Sequence, residues 1–163
     1  MKINISDLSI HLNVDYDLFI CSASYEERCV AISKALPKDK INAVLISVNE
    51  DYLNYINNNV SKLSAIWQGK SEIIEVSSEN PLNTADPYKN ILSSYSEACN
   101  ILIDITAFTH ESLLILLKLI SEVYSGKQLD VDLIYNSASE YCPGMDIDDK
   151  WLSKGVKSLH SVL

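Results

Sequence analysis

The chain has 163 residues, enough for one domain with a sizeable core, and 47% of them are hydrophobic, which excludes a disordered chain. Lys plus Arg number 13 against 22 Asp plus Glu, a net charge of -9. That balance excludes a direct nucleic-acid face, because phosphate binding needs clustered cations, and it suits a basic protein partner.

The densest cations, Lys34, Lys38 and Lys40, stand beside Pro37 and Asp39 and read as a solvated helix end. Cys21, Cys29, Cys99 and Cys142 show no CxxC spacing and no paired His, so buried thiols are expected rather than metal ligands. The apolar run Leu113 to Leu117 is broken by Lys118 and is too short to span a membrane. No apolar run precedes Asp15, so no signal peptide is expected and a cytoplasmic, reducing setting is the default.

In chain order, residues 1–15 alternate weakly and suggest an edge strand or an arm. Tyr16 to Cys21 predicts the first strand. Ser24 to Leu36 predicts a helix, with Tyr25, Cys29, Ile32 and Leu36 on one apolar stripe and Pro37 ending it. Ala43 to Val48 is the second strand. From Asp51 to about Gln68, Leu53, Ile56, Val60, Leu63 and Ile66 form a helix face that Gly69 closes. Ile73 to Val76 is the third strand. A polar loop, Glu79 to Asp86, leads to a helix with Pro87 in its first turn and Ile91, Tyr95 and Ala98 facing inward. Ile101 to Ile105 is the fourth strand. The helix after His110 is apolar on more than one side and ends at Gly126. Val131 to Tyr135 is the fifth strand. Residues 143–163 predict a Pro143-Gly144 turn and a terminal helix from Trp151.

Strands alternating with helices predict a single α/β domain: a three-layer, doubly wound, mostly parallel five-stranded sheet. The order is either 2-1-3-4-5, flavodoxin-like, or 3-2-1-4-5, Rossmann-like. In both, the ligand crevice lies beyond the C-terminal strand ends where the order reverses. In the second, the turn at Asp104 faces the turn at Ser22.

Two polar turns carry the chemistry. The first, Cys21 to Cys29, reads C-S-A-S-Y-E-E-R-C and has no glycine. All four glycines lie at 69 or later, so a GxGxxG loop and a P-loop are excluded. Ser24 and Glu27 fit a capping box. Ser22, Tyr25 and Arg28 remain. Arg28 suits a phosphate or carboxylate, or else pairs with Glu26, Glu27 or Asp104; Tyr25 fits the core stripe better than a ligand site.

The second turn follows Ile101 to Ile103 and holds Asp104, Thr106, Thr109, His110 and Glu111. Thr109 is a natural N-cap, and Glu111 is favoured by the helix dipole. Neither rule explains Asp104. A carboxylate in an apolar strand faces a desolvation cost unless something pairs with it, which marks it for a raised pKa and for function; the alternative is a purely structural hydrogen bond to neighbouring loop amides. Asn136 to Tyr141 follow the fifth strand and either complete the crevice wall or form a plain polar loop. Asp146, Asp148 and Asp149 lack calcium-loop spacing and read as helix-start acids.

The segment Tyr16-Asp17-Leu18-Phe19-Ile20-Cys21-Ser22-Ala23-Ser24, followed by a helix, resembles the opening of TIR domains, and the chain is also similar to nucleoside deoxyribosyltransferase-like domains. The resemblance implies a parallel sheet of order 2-1-3-4-5. It implies cleavage or transfer of the N-glycosidic bond of NAD or a nucleoside, with a glutamate matched by Glu111. The strings D-I-T-A-F-T-H-E and W-L-S-K-G-V look similar to bacterial proteins of defence loci. On that reading Glu111 and Asp104 are catalytic. Ser22, Ser24, Tyr25, Arg28, Thr106, Thr109, His110 and Asn136 bind the ligand. NAD or a nucleotide is substrate or ligand with no further cofactor, and a protein partner or second copy completes the system. The alternative is a non-catalytic module that senses a nucleotide or second messenger, or that docks a protein.

Overall fold

The computed structural model describes residues 3–12 and 14–137. The expected terminal turn and helix of 143–163, the acids Asp146, Asp148 and Asp149, Cys142 and the end of the Asn136–Tyr141 segment lie outside the described residues.

Five strands form the sheet: β1 Tyr16–Ser22, β2 Ile41–Asn49, β3 Ser71–Val76, β4 Asn100–Asp104 and β5 Asp130–Ile134. All adjacent pairs are parallel, in the order β3-β2-β1-β4-β5. This is the Rossmann-like order. The order 2-1-3-4-5 that the TIR resemblance implies is not the one found. Periodicity identifies strands but does not say which neighbour each one takes, so the sequence left both open.

The helices cover both faces. Helices α2 (Arg28–Ala35) and α3 (Leu53–Ile66) pack Cys29, Val30, Ile32, Ile56 and Leu63 against Phe19, Val44 and Ile46. Helices α4 (Pro81–Ser94) and α5 (His110–Val123) pack Tyr88, Leu92, Leu116 and Ile120 against Ile20, Leu45, Ile101 and Ile103. The register explains this sorting. Phe19 pairs with Val44 and Leu102, and Ile20 with Leu45 and Ile103, so alternate residues share a face across three strands. Strands buried on both faces read as continuous apolar runs, which is how β1, β2 and β4 appear in the sequence.

Several boundaries differ from expectation. Residues 5–11 are helical, a 3₁₀ turn Ile5–Asp7 leading into α1, Leu8–His11, and not an edge strand. Leu8 and Leu12 pack on the core while Ile10 is exposed, a spacing of four rather than two. Helix α4 starts at Pro81, with the Asn80 side chain accepting from the Leu82 amide at 3.0 Å, so Pro87 is inside the helix and not in its first turn. Its buried residues are Thr84, Tyr88 and Leu92, and Ile91, Tyr95 and Ala98 pack on the same core as expected. Lys38 is only partly solvated: its ammonium lies 3.6 Å from the centroid of the buried Trp67 ring, and burial lowers its pKa to about 8. Helix α3 ends as expected, at Gly69 with φ +80°, a conformation that costs glycine nothing. Helix α5 leaves Leu114 two-thirds exposed and so has one solvent side, where the sequence predicts burial on more than one.

Candidate functional site

Strands β1 and β4 are neighbours, and their crossovers leave to opposite faces of the sheet. Their C-terminal turns therefore diverge and open a crevice of about 180 Å³. Ser24, Tyr25, Glu26, Arg28 and Cys29 form one wall, and Thr106, Ala107, Phe108 and Thr109 the other. The volume is below the ~300 Å³ of an ordinary small-molecule site and fits one ring or one sugar.

The first wall is built without a capping box. The Ser24 hydroxyl accepts from the Glu26 amide at 3.1 Å, and α2 begins only at Arg28, with no side-chain cap. Glu27 does not turn back to Ser24, because Lys62 on α3 holds it at 2.5 Å. The turn is instead tied down by Asn59 of α3, which is buried and donates to the carbonyls of Ser24 (2.9 Å) and Glu26 (3.3 Å). The sequence reading missed Asn59. The signal was there: Ile56, Asn59 and Leu63 lie on one helix face, and an amide on an apolar face needs partners. Tyr25 leaves the core stripe altogether and is 75% exposed, standing at the crevice mouth.

The second wall hangs on Asp104, which is 2% exposed. Its Oδ1 accepts from the Thr106 amide at 3.0 Å. Burial raises its pKa to about 6, opposed by hydrogen bonding from the Thr106 side chain and amide and by the charge of Arg28. The same carboxylate adds to the raised pKa of Cys21 and Cys29, both lifted mainly by burial. These two thiols are free and buried, as expected, whereas Cys99 is exposed. Thr109 caps α5 by accepting from the Ser112 amide at 3.2 Å, as its position predicts.

Arg28 lies between the walls but does not bond to Asp104. Its Nε donates to Glu26 Oε2 at 2.7 Å, and a terminal nitrogen lies 2.5 Å from the same oxygen. The other terminal nitrogen donates to the Asn136 carbonyl at 2.9 Å. The adjacency of the two turns holds and the direct ion pair does not. Glu26, two residues away on the same turn, reaches the guanidinium first.

Of the expected site residues, Ser24, Tyr25, Arg28, Thr106 and Thr109 meet in the crevice. Asp104 lies beneath it. Asn136 stands behind, joined to it through Arg28 and through its own amide, which donates to Thr106 Oγ1 at 2.9 Å. Ser22 ends β1, half-buried, and His110 and Glu111 sit exposed on the first turn of α5; none of these three lines the crevice. Glu26, Cys29 and Phe108 line it and were not expected. A second, larger groove of about 710 Å³ runs between α1 and β5, lined chiefly by apolar groups such as Leu8, Leu12 and Ile134. No described helix is long and apolar enough to cross a membrane, and no cluster suited to a metal ion occurs among the described residues.

No family model matches the chain, and no curated protein matches it. Among solved structures, a universal stress protein in complex with cAMP is similar over 74% of this chain and 96% of its own, with 11% identity and a TM-score of 0.39. At that distance the likeness says nothing about what this chain binds.

Proposed function

We propose that the protein binds a nucleoside or nucleotide in the crevice between β1 and β4 and acts as a sensing module. The observation that carries this is the place of the crevice, at the reversal of strand order beyond the C-terminal strand ends, where open α/β sheets take their ligands. The lining supports it. The crevice takes one end of the ligand: the hydroxyls of Ser24, Thr106 and Thr109 suit a ribose, or the rings of Tyr25 and Phe108 the faces of a base. The signal passes to a protein partner or a second copy of the chain, in the setting of bacterial antiphage defence that the sequence strings suggest.

Sensing is favoured over catalysis because no free carboxylate among the described residues faces the crevice. Glu111 is off the lining, Asp104 is sealed beneath it, and Glu26 is paired with Arg28. The second reading is cleavage or transfer of the N-glycosidic bond of NAD or a nucleoside, which leaves an oxocarbenium-like ribose for a carboxylate to stabilise. One observation favours it: Glu111 follows the crevice residue Thr109 by two positions, on the first turn of α5.

The test is a panel of nucleosides, nucleotides and NAD, followed by melting temperature and product formation together. A melting shift without turnover is the expected result. Turnover lost in Glu111→Gln establishes the second reading in its place. Neither shift nor turnover with any member removes both.

A further inference from the structure

We infer that Glu26 is a specificity-determining residue that, by neutralising Arg28, sets the crevice to accept the sugar or base end of a ligand and to reject its phosphate. The inference rests on the proposed nucleoside or nucleotide binding and deepens it. Arg28 is the one cation among the described residues of the lining. Its guanidinium makes two contacts to a single Glu26 oxygen, at 2.7 and 2.5 Å, and one to the Asn136 carbonyl, at 2.9 Å. A phosphate oxygen reaching for this guanidinium meets the Glu26 carboxylate already at hydrogen-bond distance. Two anions there repel each other, and charge-assisted bonds to arginine are made by one at the expense of the other. The opposite wall, with Asp104 beneath it, supplies no further cation for a phosphate among the described residues. An arginine in a ligand crevice ordinarily reads as a phosphate clamp. Here it is a strut, and its partner carboxylate gives the crevice its selectivity.

The experiment titrates the full chain with inorganic phosphate, with a panel of nucleosides and with their 5′-monophosphates, at low salt, by calorimetry. The wild type is expected to show no phosphate binding and to take a monophosphate no more tightly than its nucleoside. Glu26→Gln keeps the shape of the side chain and removes its charge. It is expected to gain phosphate binding and to raise the monophosphate-to-nucleoside affinity ratio about ten-fold, the size of one charge-assisted hydrogen bond. Glu26 is only part-buried, and Glu26→Ala, with the same expected direction, guards against a defect peculiar to the amide. Tighter monophosphate than nucleoside binding in the wild type, or no gain of phosphate in either variant, overturns the inference. Gain of phosphate by the variants with no nucleoside binding by the wild type leaves it standing and removes the nucleoside reading instead.

Discussion

Asp104 is 2% exposed, and among the described residues the hydrogen bonds it accepts come from one, Thr106. Hydrogen bonding from Thr106 and the charge of Arg28 do not offset the desolvation of a full charge, so its pKa stands at about 6 rather than at the usual carboxylate value. The folded state thus holds this proton more tightly than the unfolded chain does. The contribution to stability is most favourable at low pH and is lost as the pH rises through about 6. The total is about 3 kcal/mol. Asp104→Asn keeps an acceptor for Thr106 and removes the charge. The stability of the variant minus that of the wild type should therefore rise by about 2–3 kcal/mol between about pH 4 and about pH 8. Urea melts at both pH values measure it, and a pH-independent difference would mean that Asp104 titrates normally. The position of this acid was legible, because nothing else in an apolar strand explains a carboxylate. The partner of Arg28 was not. Three acids, Glu26, Glu27 and Asp104, lay within reach in the sequence, and the choice of Glu26 depends on how the turn is folded by Asn59, 33 to 35 residues away in sequence but adjacent in space.

Among the elements, α4 is the one joined to both the sheet and its neighbour by buried polar contacts. Tyr88, fully buried, places its hydroxyl 2.7 Å from Ser47 Oγ on β2 and 2.6 Å from Ser112 Oγ on the first turn of α5. Tyr88→Phe leaves Ser47 buried without that partner and should cost about 2–3 kcal/mol, with little change in packing. A loss under about 0.5 kcal/mol in a urea melt would show that water replaces the hydroxyl. The same helix holds Pro87, which removes the amide that would bond to the carbonyl of Asn83. Pro87→Ala should raise stability by about 1–2 kcal/mol, less than the full ~3 kcal/mol proline penalty because the unfolded chain also gains freedom. A lower melting temperature in that variant would mean that the helix is shaped around the ring. The start of α4 was misread for a physical reason. Two prolines six residues apart, Pro81 and Pro87, both suit a first helical turn, and the Asn80 cap decides between them. For α2 the Ser24–Glu27 spacing is a sound capping signal, but Lys62 competes for the glutamate from another helix, and no local pattern shows that.

At the scale of the whole molecule, parallel strands, helix faces and the crevice's place at the strand ends all follow from periodicity. The choice between two strand orders does not, because it rests on contacts between segments distant in sequence. The Rossmann-like order brings three turns together, those after β1, β4 and β5, and Arg28 is the residue that ties them. It grips Glu26 on its own turn and the carbonyl of Asn136, whose amide in turn donates to Thr106. The guanidinium is about a third exposed, so its ion pair is weakened by solvent, and Arg28→Ala should cost only about 1–2 kcal/mol of global stability. Its local effect should be larger. With the Asn136 carbonyl released, the segment after β5 loses a tie to the crevice. Amide exchange at Asn136 and Thr106 should then accelerate by more than the global loss allows, while core amides of β1 and β2 follow global stability alone. Arg28→Lys retains the charge but not the planar fork, so it should recover only part of the protection. Hydrogen exchange read by NMR separates the outcomes. Uniform acceleration across the sheet would make Arg28 an ordinary surface contributor, and unchanged exchange at Asn136 would show that the three turns hold together without it.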